Sequence, residues 1–154
     1  MKAKEISIEN IWNNTKIADI KKSIKSHFAV QSNEVKLSTK LLAIQYSIED
    51  YIENDDDIEV LKVLDFVKMY LKLLSLTKKD LANYFEMKDS NLHKYLSGER
   101  KLNAKLVLKL STFSRTKPEQ WYRIEVKNEL IALKKEQANA DYYKKYDYQN
   151  LVDF

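Results

Sequence analysis

Cysteine is absent from this 154-residue chain, which carries one glycine, one proline and two histidines. Without thiols there is no disulfide and no thiolate metal site, and an intracellular protein is the default. One glycine and one proline leave few chain breakers, so long helices joined by short turns are expected. A glycine-rich phosphate loop is excluded. Long apolar runs are also missing: no stretch reaches the roughly 18 residues of a membrane span. The start, "MKAKEISIENIWNNTK", has no apolar run ahead of a small-residue cleavage site. These absences describe a soluble cytoplasmic protein with no membrane partner, long enough for one domain plus an extension.

Charge is present in quantity and is unevenly placed. Residues 1–61 hold 8 lysines and 11 carboxylates, whereas residues 62–154 hold 19 cations and 12 carboxylates. Within 62–117 the count is 13 cations against 5 carboxylates. A basic block beside an acidic one points to two partners, one of them polyanionic; two solvated helix faces are the bland alternative.

Apolar spacing predicts helices along most of the chain. Ile17, Ile20, Ile24 and Phe28 make one stripe on a first helix of about residues 15–29, and "QSNEV" breaks the pattern. Leu41, Ile44, Ile48 and Ile52 repeat at helical spacing in a second. The acidic "ENDDD" at 53–57 then supplies a linker and an expected start for the next helix, because carboxylates favour helix N-termini. That next helix, "IEVLKVLDFVKMYLKLLSL", is expected to bury Val60, Val63, Leu64, Val67, Leu71 and Leu74.

After it the helices shorten. Thr77 and Asp80 form a capping-box pair opening "KKDLANYFE", and "MKD" separates this from "SNLHKYL". Leu81 and Ala82 are placed to pack against Leu92 and Leu96 across the turn, which is helix–turn–helix spacing. Gly98, the only glycine, follows as the residue that ends the second short helix in a left-handed conformation.

The stretch "LTKKDLANYFEMKDSNLHKYLSGERKL" resembles the lambda-repressor-like (XRE) helix–turn–helix. Downstream, "NAKLVLKLSTFSRTKPEQWYRIE" is similar to the segment of HigA-type antitoxins that ends in a Pro-Glu-x-Trp signature, matched by Pro118, Glu119 and Trp121. The likeness covers about residues 58–133. It departs at Lys78, where the family often has Gln, at Glu86, where a turn glycine is usual, and at Lys88, where a capping Ser is common. A Glu at a position needing φ > 0 costs on the order of 1 kcal/mol unless the turn relaxes. With Lys88 a poor cap, Asp89 is expected to cap the second short helix and to repel nearby phosphates.

The resemblance implies an all-α fold: a lambda-repressor-like bundle at 58–133, a helical N-terminal segment at 1–57, and a C-terminal helix end with a Tyr-rich tail at 134–154. It also implies the antitoxin of a type II toxin–antitoxin system, which represses its own operon by binding operator DNA. From the residues themselves, Ser90, Asn91, His93 and Lys94 form a reading head on the second short helix, with Asn91 suited to adenine. Lys78, Lys88, Arg100 and Lys101 are candidate phosphate partners. The resemblance further implies a cognate toxin, a small basic RNase, that would meet the acidic residues Glu49, Asp50, Glu53, Asp55, Asp56, Asp57 and Glu59; a solvated helix end and linker is the alternative.

"RTKPEQWYRIEVKNELIALKKEQ" reads as a long final helix, opened by a Thr116–Glu119 capping box with Pro118 in its first turn. Trp121, Ile124 and Ile131, with Val126, Leu130 and Leu133 on a neighbouring line, are wide enough to close the domain and to meet a second copy. A homodimer follows from the two half-sites such proteins read. The tail "DYYKKYDYQNLVDF", with four tyrosines, receives no site. No cofactor or metal is expected: with His27 and His93 the only imidazoles and no metal-ligand spacing, an enzyme is disfavoured. Two other readings stand beside the antitoxin, a stand-alone transcriptional regulator and a protein-interaction module that has lost DNA binding.

Overall fold

The computed structural model describes the backbone of residues 2–55 and 59–152, and the side chains of these except 2–16 and 26–31. Among the described residues every regular element is helical: α1 (Lys2–Glu53), α2 (Val63–Leu74), α3 (Lys78–Tyr84), α4 (Asp89–Leu96), α5 (Ala104–Ser114) and α6 (Pro118–Glu136). A four-residue helix α7 (Ala140–Tyr143) sits among single 3-10 turns at Gln137–Asn139, Lys144–Tyr146 and Tyr148–Asn150. The chain divides into two compact units, Met1–Lys40 and Leu41–Phe154.

In the first unit the expected break at "QSNEV" does not occur, and α1 runs through it. The segment contains neither Pro nor Gly, and its polar residues each cost a helix only a few tenths of a kcal/mol, about what neighbouring turns repay. Ile17, Ile20 and Ile24 are exposed rather than buried. Phe28 lies outside the described side chains.

The second unit holds the core. Ile44, Ile48 and Tyr51 of α1 are buried together with Phe66, Val67 and Tyr70 of α2, and Leu41 and Ile52 pack on them half-buried. The linker boundary at 57/58 falls between α1 and α2, while the division between units lies earlier, because these last turns of α1 belong to the core. The helix after the linker begins at Val63, not in the acidic run. Residues 59–62 are not helical, and the Lys62 N–H donates to the Asp65 carboxylate at 2.8 Å, which opens α2 there. Val60 is accordingly exposed and Leu74 only half-buried; Phe66 and Tyr70 take their places in the core.

Leu81 and Ala82 of α3, Leu92 and Leu96 of α4, Leu106, Val107 and Leu110 of α5, and Trp121 and Ile124 of α6 complete that cluster. Full burial of one such leucine contributes about 1.5–3 kcal/mol, so the placement of α4 is determined by its two buried leucines. The α6 start differs from expectation: Lys117 is the N-cap, and Thr116 turns inward. Its Oγ1 accepts from Trp121 Nε1 at 2.9 Å and lies 2.7 Å from Ser114 Oγ, and its carbonyl accepts from Ser111 Oγ at 2.5 Å. A hydroxyl serving a buried indole is unavailable as a cap.

Candidate nucleic-acid interface

Thr77 and Asp80 build the entrance to the α3–α4 pair as expected. The Asp80 N–H donates to Thr77 Oγ1 at 3.0 Å, and the Thr77 N–H donates to Asp80 Oδ2 at 2.9 Å. The Thr77 backbone N–H first, and its hydroxyl second, hold the Asp80 carboxyl below its ordinary value. At the other end of α3, Phe85 N–H returns to Leu81 O at 2.8 Å and Met87 N–H to Ala82 O at 2.9 Å. Between them Glu86 takes φ +58°, a left-handed backbone that favours glycine. Lys109 of α5 donates to the Phe85 carbonyl at 2.5 Å, adding a cation to the carbonyl end of α3. Nothing in the spacing of the sequence pointed to Lys109.

Helix α4 begins with Lys88 as its N-cap, in extended conformation and without a side-chain cap bond. Asp89 is the first helical residue, so it does not cap as expected. Its carboxylate sits instead at the positive end of the helix and 3.7 Å from Lys78 Nζ. That cation offsets the repulsion Asp89 would exert on a phosphate. Lys78 Nζ also lies 3.0 Å from His93 Nδ1. An ammonium only donates, so Nδ1 accepts and the ring proton is placed on Nε2. Lys78, Asp89 and His93 are thereby one cluster at the junction of α3 and α4.

Because Leu92 and Leu96 face the core, the other side of α4 is open. Ser90 and His93 are exposed there, with Asn91 and Lys94 half-buried beside them. Gly98, at φ +86°, closes the helix as the sequence predicted, and the Arg100 N–H reaches back to Lys94 O at 2.9 Å. The Arg100 guanidinium stands 6.0 Å from the Tyr95 ring centroid. Lys88 is exposed. Lys101 is drawn to α6, 3.3 Å from Glu129, with both side chains in solvent. The sequence candidates thus separate into α4 with its junction cluster, Arg100 just past the helix end, and Lys101 at its edge toward α6.

The acidic candidates Glu49, Asp50, Glu53, Asp55 and Glu59 are all exposed; Asp56 and Asp57 lie outside the described residues. Lys127 of α6 donates to the carbonyls of Tyr51 and Asn54, capping the C-terminal end of α1 beside them. Tyr51 adds a polar tie, its hydroxyl accepting from the Leu61 N–H at 3.1 Å and lying 2.5 Å from Asn128 Oδ1. Along α6, Trp121, Ile124 and Ile131 are buried, whereas Val126, Leu130 and Leu133 are about half exposed. These last three, with Ile52 and Tyr122, line an apolar groove of about 720 Å³.

Among the described residues no group of three or more His, Cys, Asp or Glu is placed to hold a metal ion, and no helix is long and apolar enough to cross a membrane. No protein-family model matches this chain, and no curated protein or solved structure matches it either.

Proposed function

We propose that this chain is a sequence-specific DNA-binding protein of the lambda-repressor-like helix–turn–helix kind, with α4 as the helix that enters the major groove. The observation that carries the reading is the two-sidedness of α4: Leu92 and Leu96 are fully buried, and Ser90, Asn91, His93 and Lys94 are left on the open side. Recognition helices in such proteins present the residues of their first turns to base edges. Asn91 is the base reader, its amide matching adenine N6 and N7, and Ser90 contacts a base or phosphate. Lys88, Lys94, Arg100 and Lys101 meet phosphates and set the register. Lys78 orients His93 and neutralises Asp89 as well as facing the backbone.

Asn91→Ala tests the assignment. It is expected to relax discrimination at one or two base positions by about 1–3 kcal/mol while leaving non-specific binding intact. Unchanged discrimination among operator variants removes Asn91 from the reading head.

The same protein is proposed to act as a homodimer, and as the antitoxin of a type II pair that represses its own operon. What supports the second role is the exposed acidic face at Glu49, Asp50, Glu53, Asp55 and Glu59, continued in sequence by Asp56 and Asp57, which complements a small basic RNase. Reversing the charges of Asp55, Asp56 and Asp57 should weaken inhibition of the toxin encoded beside this gene. Full inhibition by that variant, or no such neighbour, leaves a stand-alone regulator.

A further inference from the structure

We propose that His93 donates a hydrogen bond to a DNA phosphate as a neutral ring, through Nε2–H, and that Lys78 is the residue that positions it. The contact rests on the DNA-binding reading above and gives His93 the role which that reading leaves open. Leu92 and Leu96 set the inward direction of α4, and at about 100° per residue the opposite direction is that of Lys94. Asn91 lies about 60° to one side of this outward line and His93 about 100° to the other. That second flank is the one that meets α3, because Lys78 Nζ stands 3.0 Å from His93 Nδ1.

A helix with its side chains is about 10–12 Å across and the major groove about 12 Å wide. A helix lying in the groove therefore turns its outward line to the base edges and its flanks to the sugar–phosphate walls. His93 is exposed on such a flank. Its bonding suits the wall rather than a base. With Nδ1 accepting from Lys78, the ring has only a donor left to offer, and the ammonium beside it is a donor as well. A phosphate oxygen only accepts, and its charge strengthens the bonds of both donors. Lys78 Nζ also lies 3.7 Å from Asp89, so this cation is already balanced by a carboxylate, and the neutral ring adds no charge of its own. His93 thus contributes a directed hydrogen bond, whereas Lys94 and Arg100 contribute charge and release counterions.

The test is titration of the full chain against a labelled duplex from upstream of its own gene and a scrambled duplex, at several salt concentrations and about pH 8, where an ordinary imidazole is neutral. Circular dichroism verifies that each variant keeps its helical content. His93→Ala should weaken binding about tenfold on both duplexes, with the slope of log affinity against log salt unchanged. Lys94→Ala should instead lower that slope by about one. His93→Gln, whose amide N–H takes the place of Nε2–H, should restore most of the loss. Once Lys78→Met has released the ring, His93→Ala should cost little more. Where the wild type binds, four results overturn the phosphate contact and leave the DNA reading standing: unchanged affinity in His93→Ala, a base preference or salt slope altered by it, no rescue by His93→Gln, or losses at Lys78 and His93 that simply add. A wild type that binds neither duplex overturns both.

Discussion

Glu86 holds φ +58° between α3 and α4, where its side chain makes no bond among the described residues that would compensate the backbone. Gly98 takes a similar left-handed backbone at the end of α4, with nothing within 4 Å of where a Cβ would stand. The two sites therefore isolate the same conformational term. Glu86→Gly should stabilise the fold by about 1 kcal/mol and Gly98→Ala should destabilise it by about the same, read from urea midpoints at constant m-value. Both positions were legible in the sequence, one from a glycine where a helix had to end, the other from a missing glycine. Tyr70 was not legible. Its hydroxyl is buried without a hydrogen-bond partner among the described residues, and burial pushes the phenol up to about 12. Tyr70→Phe removes that unsatisfied group and should leave stability unchanged or raise it by about 1 kcal/mol in thermal unfolding. Asp80 carries a pH consequence. Its carboxyl is held low in the folded chain, chiefly by the Thr77 backbone N–H, so its contribution is present above the ordinary carboxylate value. That contribution is lost as pH falls through the folded value, and Asp80→Asn should flatten this part of the acid-unfolding curve.

Helix periodicity identified which stretches are helical better than where they stop or what they bury. The Ile17–Ile20–Ile24 row has the spacing of a core stripe yet lies exposed, because spacing reports an amphipathic helix and not the presence of a partner surface. Capping followed the same pattern. The Thr77–Asp80 pair was read correctly from its spacing, while Thr116 has that spacing and a different duty, serving Trp121. Long-range polar ties left no local signal at all. Tyr51 reaches the Leu61 N–H and Asn128 across separations of 10 and 77 residues. Tyr51→Phe strands a half-buried N–H and should cost about 1–3 kcal/mol, seen as a lower urea midpoint. A phenylalanine that leaves the midpoint unmoved would assign that tie to solvent-exposed polarity instead.

At the scale of the whole molecule, residues 62–154, which include the α3–α4 pair, carry 19 cations against 12 carboxylates, and the acidic run follows α1 in sequence. A basic field of this kind supplies non-specific affinity for a polyanion and makes it salt-dependent. On the proposed reading, base discrimination comes from Asn91 and its neighbours on α4. The sequence located that helix, its two buried leucines and its polar outer residues; it did not locate the Lys78–Asp89–His93 cluster, which depends on the angle between α3 and α4. The most direct test is titration of the full chain against a labelled duplex from the DNA upstream of its own gene. It is run at two salt concentrations, beside a scrambled duplex and an Asn91→Ala, Lys94→Ala variant. Tight, salt-sensitive binding that prefers the native duplex and collapses in the variant is the predicted result. No binding, or equal weak binding to both duplexes, would contradict a DNA-reading role for α4.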